Sequence, residues 1–327
     1  MLPFRLIYSS DYYLPLPGHV FPGEKYRLIH DRLLATYVAE EQDFIAPEAA
    51  SDDDIRLAHT AEYVDKLLKA KLSYAEQMQL EIPFSEEMRR GFWLMAGGSI
   101  VALRRALDDG ICFNIGGGFH HAYPDHGEGF CMVHDVAVAI RRAQKDGVIR
   151  RAMVVDCDVH HGNGTAAIFP PRRSAPNTLP SGIGGASARA ASADEVFTIS
   201  LHQQNNYPVL KPPSSIDINL PDGTGDAEYL GWLDQALSSG LRAMKPEVIC
   251  YIAGADPYLE DQLGGLRLTI AGLKRRDELV FRAARAQSIP VMVTYAGGYA
   301  RHVEDTVVIH CNTVAAARDV TTESRSA

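Results

Sequence analysis

The stretch Ala152-Met153-Val154-Val155-Asp156-Cys157-Asp158-Val159-His160-His161-Gly162-Asn163-Gly164 passes abruptly from an apolar, β-branched run into acids, histidines and glycines. Such a break reads as a buried strand delivering polar side chains into a loop. Residues two apart in an extended chain point the same way, so Asp158 and His160 can approach one ion together. One carboxylate and one imidazole make half of a hard-to-borderline metal site and leave room for water. The pattern is that of a metal hydrolase.

Working outward, further strand-like runs occupy Arg5–Tyr8, Ile111–Ile115, Val196–Leu201, Val248–Ala253 and Val291–Tyr295, with Ala152–Asp156 among them. Helical spacing appears between them. Over Lys25–Glu40 it involves Leu28, Ile29, Leu33, Leu34, Tyr37 and Val38, and over Gly272–Gln287 Leu273, Val280, Phe281 and Ala284. Near-continuous apolar strands alternating with helices predict an α/β fold in three layers, a mostly parallel central sheet with helices on both faces. In such sheets ligands bind outside the carboxyl ends of the strands. No repeat or linker is visible, so a single domain over 1–320 is expected.

The chain has 327 residues, 46% of them apolar, which supports a sizeable core. A formal charge of -9 argues against a surface that coats nucleic acid. The five cysteines (Cys112, Cys131, Cys157, Cys250 and Cys311) form no C-x-x-C pair, and Cys112, Cys157 and Cys250 fall in or beside apolar runs. There a free cysteine behaves as a small hydrophobe, as suits a reducing compartment. The start lacks a basic segment followed by a long apolar one, and no run approaches membrane-spanning length. The expectation is a soluble cytoplasmic protein with no membrane partner.

Pro170–Ala193 is rich in Pro, Ser, Ala, Gly and Arg and too poor in large apolar residues to build a core. It reads as a long flexible insertion after the metal loop. Its arginines (Arg172, Arg173 and Arg189) would suit a substrate flap, but an insertion without catalytic consequence is the simpler reading. Thr321–Ala327 is expected to be a disordered tail.

The remaining chemistry also collects at strand ends. After Ile111–Ile115 comes Gly116-Gly117-Gly118-Phe119-His120-His121, whose glycines allow a tight turn that places two histidines at the sheet edge. Either histidine alone would be an ordinary structural residue. Paired beside a metal-type loop, they can carry a proton between water and an amine near neutral pH. Asp256, after Val248–Ala253, would be a cap if taken alone. Here it would supply the third ligand that Asp158 and His160 lack. Tyr299, on the Gly297-Gly298 hinge, is either packed at a loop or aimed at a developing oxyanion.

These motifs resemble those of the zinc-dependent histone deacetylases, of the arginase/deacetylase fold. The matching stretches are GGGFHHAYPDHGEGFCMVHDVAVA at 116–139, DCDVHHGNGTAAIF at 156–169, TISLH at 198–202, GADPYLEDQLGGL at 254–266 and GGY at 297–299. Their order matches too, from about Tyr8 to about Ala317. Asn163, the EDQLGGLRLTIAGLKRRDELVF run and the single GGY are similar to the class IV branch and its bacterial relatives.

The resemblance implies Asp158, His160 and Asp256 as ligands of Zn2+, with Fe2+ an alternative in so oxygen-rich a site. It implies His120 and His121 as the histidines that hold the reacting water, His121 as general base and then acid, and Asp156 as the support of His120. Tyr299 would donate to the substrate carbonyl. Gly129 and Phe130 would line the channel for the acyl-lysine side chain. A K+ or Na+ site is implied at Asp156 and Ser200, with backbone oxygens of Asp158, His160 and Leu201.

One position departs from most of the family. Asn163 stands where an aspartate usually supports the second histidine. An amide stabilises an imidazolium less than a carboxylate, so His121 should have a lower pKa than in those relatives, with a shifted pH optimum rather than lost activity.

The implied substrate is an acylated lysine in a protein or peptide, carrying an acetyl or longer acyl group. An acylated small amine such as an acetylated polyamine fits the same chemistry. A binuclear manganese hydrolase would need more bridging acids than these loops offer. A catalytically silent acyl-lysine binder would typically have lost Tyr299 or a ligand, and this chain has kept them all.

Overall fold

The computed structural model describes residues 1–171 and 195–323, with the backbone of Asn177–Thr178 and Gly184–Gly185 between them. Eight strands make one sheet: β1 Arg5–Ile7, β2 Phe44–Ile45, β3 Ile111–Asn114, β4 Arg151–Asp156, β5 Glu195–Gln203, β6 Ile216–Leu220, β7 Val248–Ile252 and β8 Val291–Thr294. Their order is β2-β1-β3-β8-β7-β4-β5-β6, and every pairing is parallel. The central strands β7 and β8 are buried at every residue, which explains their unbroken apolar character.

Ten α-helices accompany the sheet among the described residues: α1 Lys25–Ala35, α2 Asp52–Ile55, α3 Ala61–Leu68, α4 Tyr74–Leu80, α5 Glu86–Asp109, α6 Asp135–Lys145, α7 Asn163–Ile168, α8 Asp226–Ala243, α9 Ile270–Ala286 and α10 Val303–Thr322. They flank the sheet in two groups. In one, α5 packs on α6; in the other, α8, α9, α10 and α1 pack in succession. The α/β expectation therefore holds. All five cysteines are free and buried, and no helix is long and apolar enough to cross a membrane.

Register places the site. Asp156 at the end of β4 lies beside Ser200 of β5 and Ile252 of β7, and Thr294 of β8 lies beside Asn114 of β3. The loops leaving β3, β4, β7 and β8 thus emerge side by side along one carboxyl edge, where ligands gather in such sheets.

Several boundaries differ from expectation. The first long helix stops at Ala35 rather than Glu40, because Tyr37 turns into the left-handed region (φ 55) and Val38 N–H closes back on the Leu33 carbonyl. Tyr37 itself is exposed, not part of the apolar face. The helix expected from Gly272 begins at Ile270, capped by the Thr269 hydroxyl. The disordered tail expected from Thr321 is helical through Thr322; Val314, Ala317 and Val320 are buried, and Lys274 of α9 bonds Asp319 of α10 at 3.0 Å. Residues 324–327 lie outside the described residues. So does the insertion expected over 170–193, apart from Pro170, Pro171 and the antiparallel pair Asn177–Thr178 with Gly184–Gly185.

Candidate active site

Each functional loop is shaped by close backbone approach. After β3, Gly117 and Gly118 take positive φ (71° and 79°), and a methyl group on Gly117 would fall 2.1 Å from the Asp135 carboxylate. Asp135, buried at the start of α6, accepts from the N–H groups of Gly118 (3.1 Å) and Phe119 (2.9 Å) and so aims the following histidines.

Asp158, His160 and Asp256 meet at this edge. Their potential ligand atoms lie within 4.8 Å of one another, and all three residues are buried. His160 Nδ1 is 3.0 Å from Asp158 Oδ1 and 3.3 Å from Asp256 Oδ2. The other oxygen of each carboxylate is committed to backbone: Asp158 Oδ2 accepts from Gly297 N–H (2.9 Å) and Asp256 Oδ1 from Val159 N–H (2.8 Å). Asp256 Oδ2 is buried with no hydrogen-bond partner. Apart from its 3.3 Å approach to His160 Nδ1 this oxygen is unsatisfied, and a buried carboxylate oxygen so placed is suited to a cation. A cavity of about 20 Å³ opens here, bordered by Asp158, His120, His121 and Tyr299, room for about one water-sized group. The residues fit a divalent metal.

Electrostatics agree. Burial alone would suppress the His160 cation, yet Asp158 and Asp256 push its pKa up to about 10. Burial and the Asp158 charge raise Asp256 to about 7. Asp158 is held well below the usual carboxylate range, because His120 and His160 outweigh its burial. The cluster demands positive charge.

The paired histidines differ sharply. His120 Nδ1–H donates to Asp156 at 2.7 Å, and its Nε2 lies 3.6 Å from Asp158. Burial opposes its cation, but Asp156 and Asp158 raise it to about 9. His121 Nδ1 meets the Asn163 Oδ1 amide oxygen at 2.6 Å. Burial, then the neighbouring His120 and His160, drive its pKa well below the ordinary histidine value. Pushing two pKa values apart is how adjacent groups acquire separate acid and base roles.

Tyr299 is buried with its backbone N–H held by Asp261 (2.7 Å), and its ring stands 6.4 Å from that of His160. Burial and the Asp158 and Asp256 carboxylates keep its hydroxyl protonated. Phe130, at φ 67, presents its ring 6.0 Å from Tyr299 and 6.4 Å from Phe21. Gly129 leaves space between His121 and Tyr207, each 2.9 Å from where a methyl group would stand.

Ser200 lies beside Asp156 by register and bonds His202 Nδ1 at 3.0 Å. A second group with ligand atoms within 4.8 Å of one another is formed by His161 in the loop after β4, His202 on β5 and Asp217 on β6. Both ring nitrogens of His202 already have partners, Ser200 and Asn219.

Four contributors escape a reading of the sequence. Glu128 accepts from Asn163 and Tyr207. Tyr207 packs edge-on to His121 at 5.0 Å. Lys25, fully buried, donates to the Ala296 carbonyl at 2.6 Å beneath the Phe21 ring. Buried Arg276 holds the loops after β4 and β7. The only local hints are an acid between two glycines at Glu128 and the charged pair Arg276-Asp277 within the apolar spacing of α9.

The profile of the histone deacetylase domain family matches residues 19–314. The chain is 35% identical over 97% of its length to an uncharacterized protein of Picosynechococcus, covering 99% of that protein. It is 29% identical to histone deacetylase 2 of Arabidopsis thaliana, over 92% of this chain and 77% of that one. In structure it resembles a histone deacetylase homologue from Aquifex aeolicus, with a TM-score of 0.76 at 24% identity, over 97% of this chain and 84% of that chain. The chain belongs to the histone deacetylase domain family.

Proposed function

We propose that the protein is a metal-dependent deacylase that removes acetyl or longer acyl groups from the Nε of lysine in proteins or peptides, allied to the class IV branch. The observation that carries this reading is that His160, inside the candidate metal group, is flanked by His121 at 5.9 Å and Tyr299 at 6.4 Å. A proton carrier and a hydroxyl donor therefore border the same ion position, beneath the Phe21 and Phe130 rings.

Asp158, His160 and Asp256 would hold Zn2+, or Fe2+ as the oxygen-rich alternative; when bound, the metal supplies Lewis acidity toward the amide carbonyl and toward water. Phe130 and Gly129 orient the acyl-lysine chain and exclude solvent. His121 takes the proton from the attacking water at its Nε2 and returns it to the departing amine. His120, with Asp156 behind it, holds the same water. Tyr299 donates its hydroxyl to the developing oxyanion. Asp156, Ser200 and backbone oxygens of Asp158, His160 and Leu201 would hold K+ or Na+ as a structural cation. The -9 charge of the chain suits a cationic substrate, whether a lysine-rich peptide or an acetylated polyamine.

The test is hydrolysis of acetyl-lysine peptides, a long-chain acyl-lysine peptide and acetylated polyamines by metal-reconstituted protein, beside a chelated sample. Chelator-sensitive release of acid from a lysine peptide is expected. Preference for a polyamine would move the substrate class, and no turnover on any member with metal bound would refute the deacylase reading.

A further inference from the structure

Behind His121 lies a hydrogen-bonded chain that ends in a carboxylate. His121 Nδ1 lies 2.6 Å from Asn163 Oδ1, and Asn163 Nδ2 donates to Glu128 Oε1 at 2.6 Å. Glu128 is also the acceptor for Tyr207 OH at 2.9 Å and Gln79 Nε2 at 3.1 Å, and His126 Nε2 lies 3.3 Å from its second oxygen. Asn163 is buried, and the Glu128 side chain is only 14% exposed.

An asparagine amide is ambiguous. Rotated by half a turn it exchanges a donor for an acceptor with almost no change of shape. Facing His121 with its NH2 group, it would take the Nδ1 lone pair and leave the proton on Nε2. A neutral ring protonated there has no lone pair to offer a nucleophilic water. Facing His121 with its oxygen, it requires Nδ1–H and leaves Nε2 free to accept.

A carboxylate removes the ambiguity, because an ionised acid accepts and never donates. Burial favours the neutral acid at Glu128, but the contacts from His126, Tyr207, Gln79 and Asn163 outweigh it and keep the carboxyl below its ordinary range. The Asn163 NH2 group must then face Glu128, and its oxygen must face His121.

Building on the deacylase reading, we propose that Glu128 is a positioning residue that fixes the tautomer of His121 through Asn163. The carboxylate that would directly support the histidine is moved one residue outward. Tyr207 joins the device: it bonds Glu128 while its ring confines the imidazole edge-on. Orientation is thereby set without a negative charge in contact with the imidazole.

A reciprocal exchange tests this. Glu128→Gln replaces an acceptor by a group that can also donate, so the amide can turn; kcat should fall at least ~10-fold, with KM and bound metal little changed, as for loss of a hydrogen bond to a charged group. Asn163→Asp alone sets a carboxylate against Glu128 and should also lower kcat. Combined, the two substitutions exchange amide and carboxylate and restore the donor–acceptor sense along the path from His121 through positions 163 and 128, provided the Tyr207 hydroxyl, which donates to the same Glu128 oxygen, turns to accept. The double variant should therefore recover to within ~3-fold of the wild type, a rescue expected of coupled residues and not of two independent structural losses.

A second readout needs no turnover. Nitrogen-15 shifts of the His121 ring, assigned by their disappearance in His121→Ala, should show the proton on Nδ1 in the wild type and on both nitrogens in Glu128→Gln. A wild-type proton on Nε2, an unchanged kcat in Glu128→Gln, or a double variant no better than the worse single would each overturn the proposal. Should no acyl amine be hydrolysed at all, the deacylase reading falls, while the ring shifts still decide for or against the device.

Discussion

Arg276 reaches from the buried face of α9 to the carbonyl of Gly254, donating from Nη1 at 2.5 Å. The same nitrogen lies 3.3 Å from the Cys157 carbonyl. One guanidinium thus ties the residue preceding Asp158 to the loop that carries Asp256, and it is itself paired with buried Asp277 at 2.8 Å. Arg276→Met should leave Asp277 unpaired and cost about 3–5 kcal/mol of stability. Urea unfolding measures that loss, and a metal titration should show weaker binding as the two loops drift apart. A variant as stable as the wild type with unchanged metal affinity would contradict the clamp.

Tyr299→Phe removes one hydroxyl and keeps the ring against Phe130 and His160. The fold and metal content should be unaffected, while kcat falls by about 100-fold or more, as when one oxyanion donor is deleted. Near wild-type turnover would show that the tyrosine only packs.

Gly129→Ala places a methyl group 2.9 Å from both His121 and Tyr207, at a residue with φ 50°. The strain is local, so circular dichroism should be normal. Displacing His121, the proposed general base, by about 1 Å should lower kcat/KM by about 100-fold. Retained kcat/KM would mean the channel is wider than the wild-type contacts imply.

His59 offers a pH test away from the candidate metal group. Its Nδ1 bonds the Tyr123 carbonyl at 2.9 Å, and its Nε2 accepts from His134 N–H at 2.9 Å, so the ring is held neutral. Burial pushes its pKa from 6.5 down to about 4, with the Tyr123 and Pro124 carbonyls opposing. The unfolded chain therefore binds the proton first. The stabilisation is complete above pH 6.5 and is lost as pH falls from 6.5 towards 4, up to about 3 kcal/mol. The urea midpoint should fall over that window, less steeply in His59→Gln; a flat wild-type profile would refute a buried neutral ring.

The sheet was legible where its strands are buried on both faces. Ala152–Val155 and Val291–Thr294 are apolar at nearly every position because helices cover them above and below. The edge strand Ile216–Leu220 was not found, since its Asp217 and Asn219 alternate with apolar residues and break the run. Tyr37 misled the helix reading because apolar spacing says nothing about a residue that turns left-handed. The candidate ligands were legible for a local reason: Asp158, His160 and Asp256 follow their strands within a few residues. Glu128 and Arg276 act across the chain, Glu128 on a partner 35 residues away and Arg276 on one 119 residues away. No spacing rule reaches that far.

The burial of all five cysteines has a practical outcome. Desolvation raises the Cys112 thiol and those of Cys131, Cys157, Cys250 and Cys311, so none is a ready thiolate. The natural chain is therefore already a blank background for maleimide chemistry. A cysteine introduced at Val209, which is 96% exposed just beyond Tyr207, would be the single fast-labelling position. A fluorophore there would report on the exposed loop that follows Tyr207 without any of the native sulfurs having to be removed.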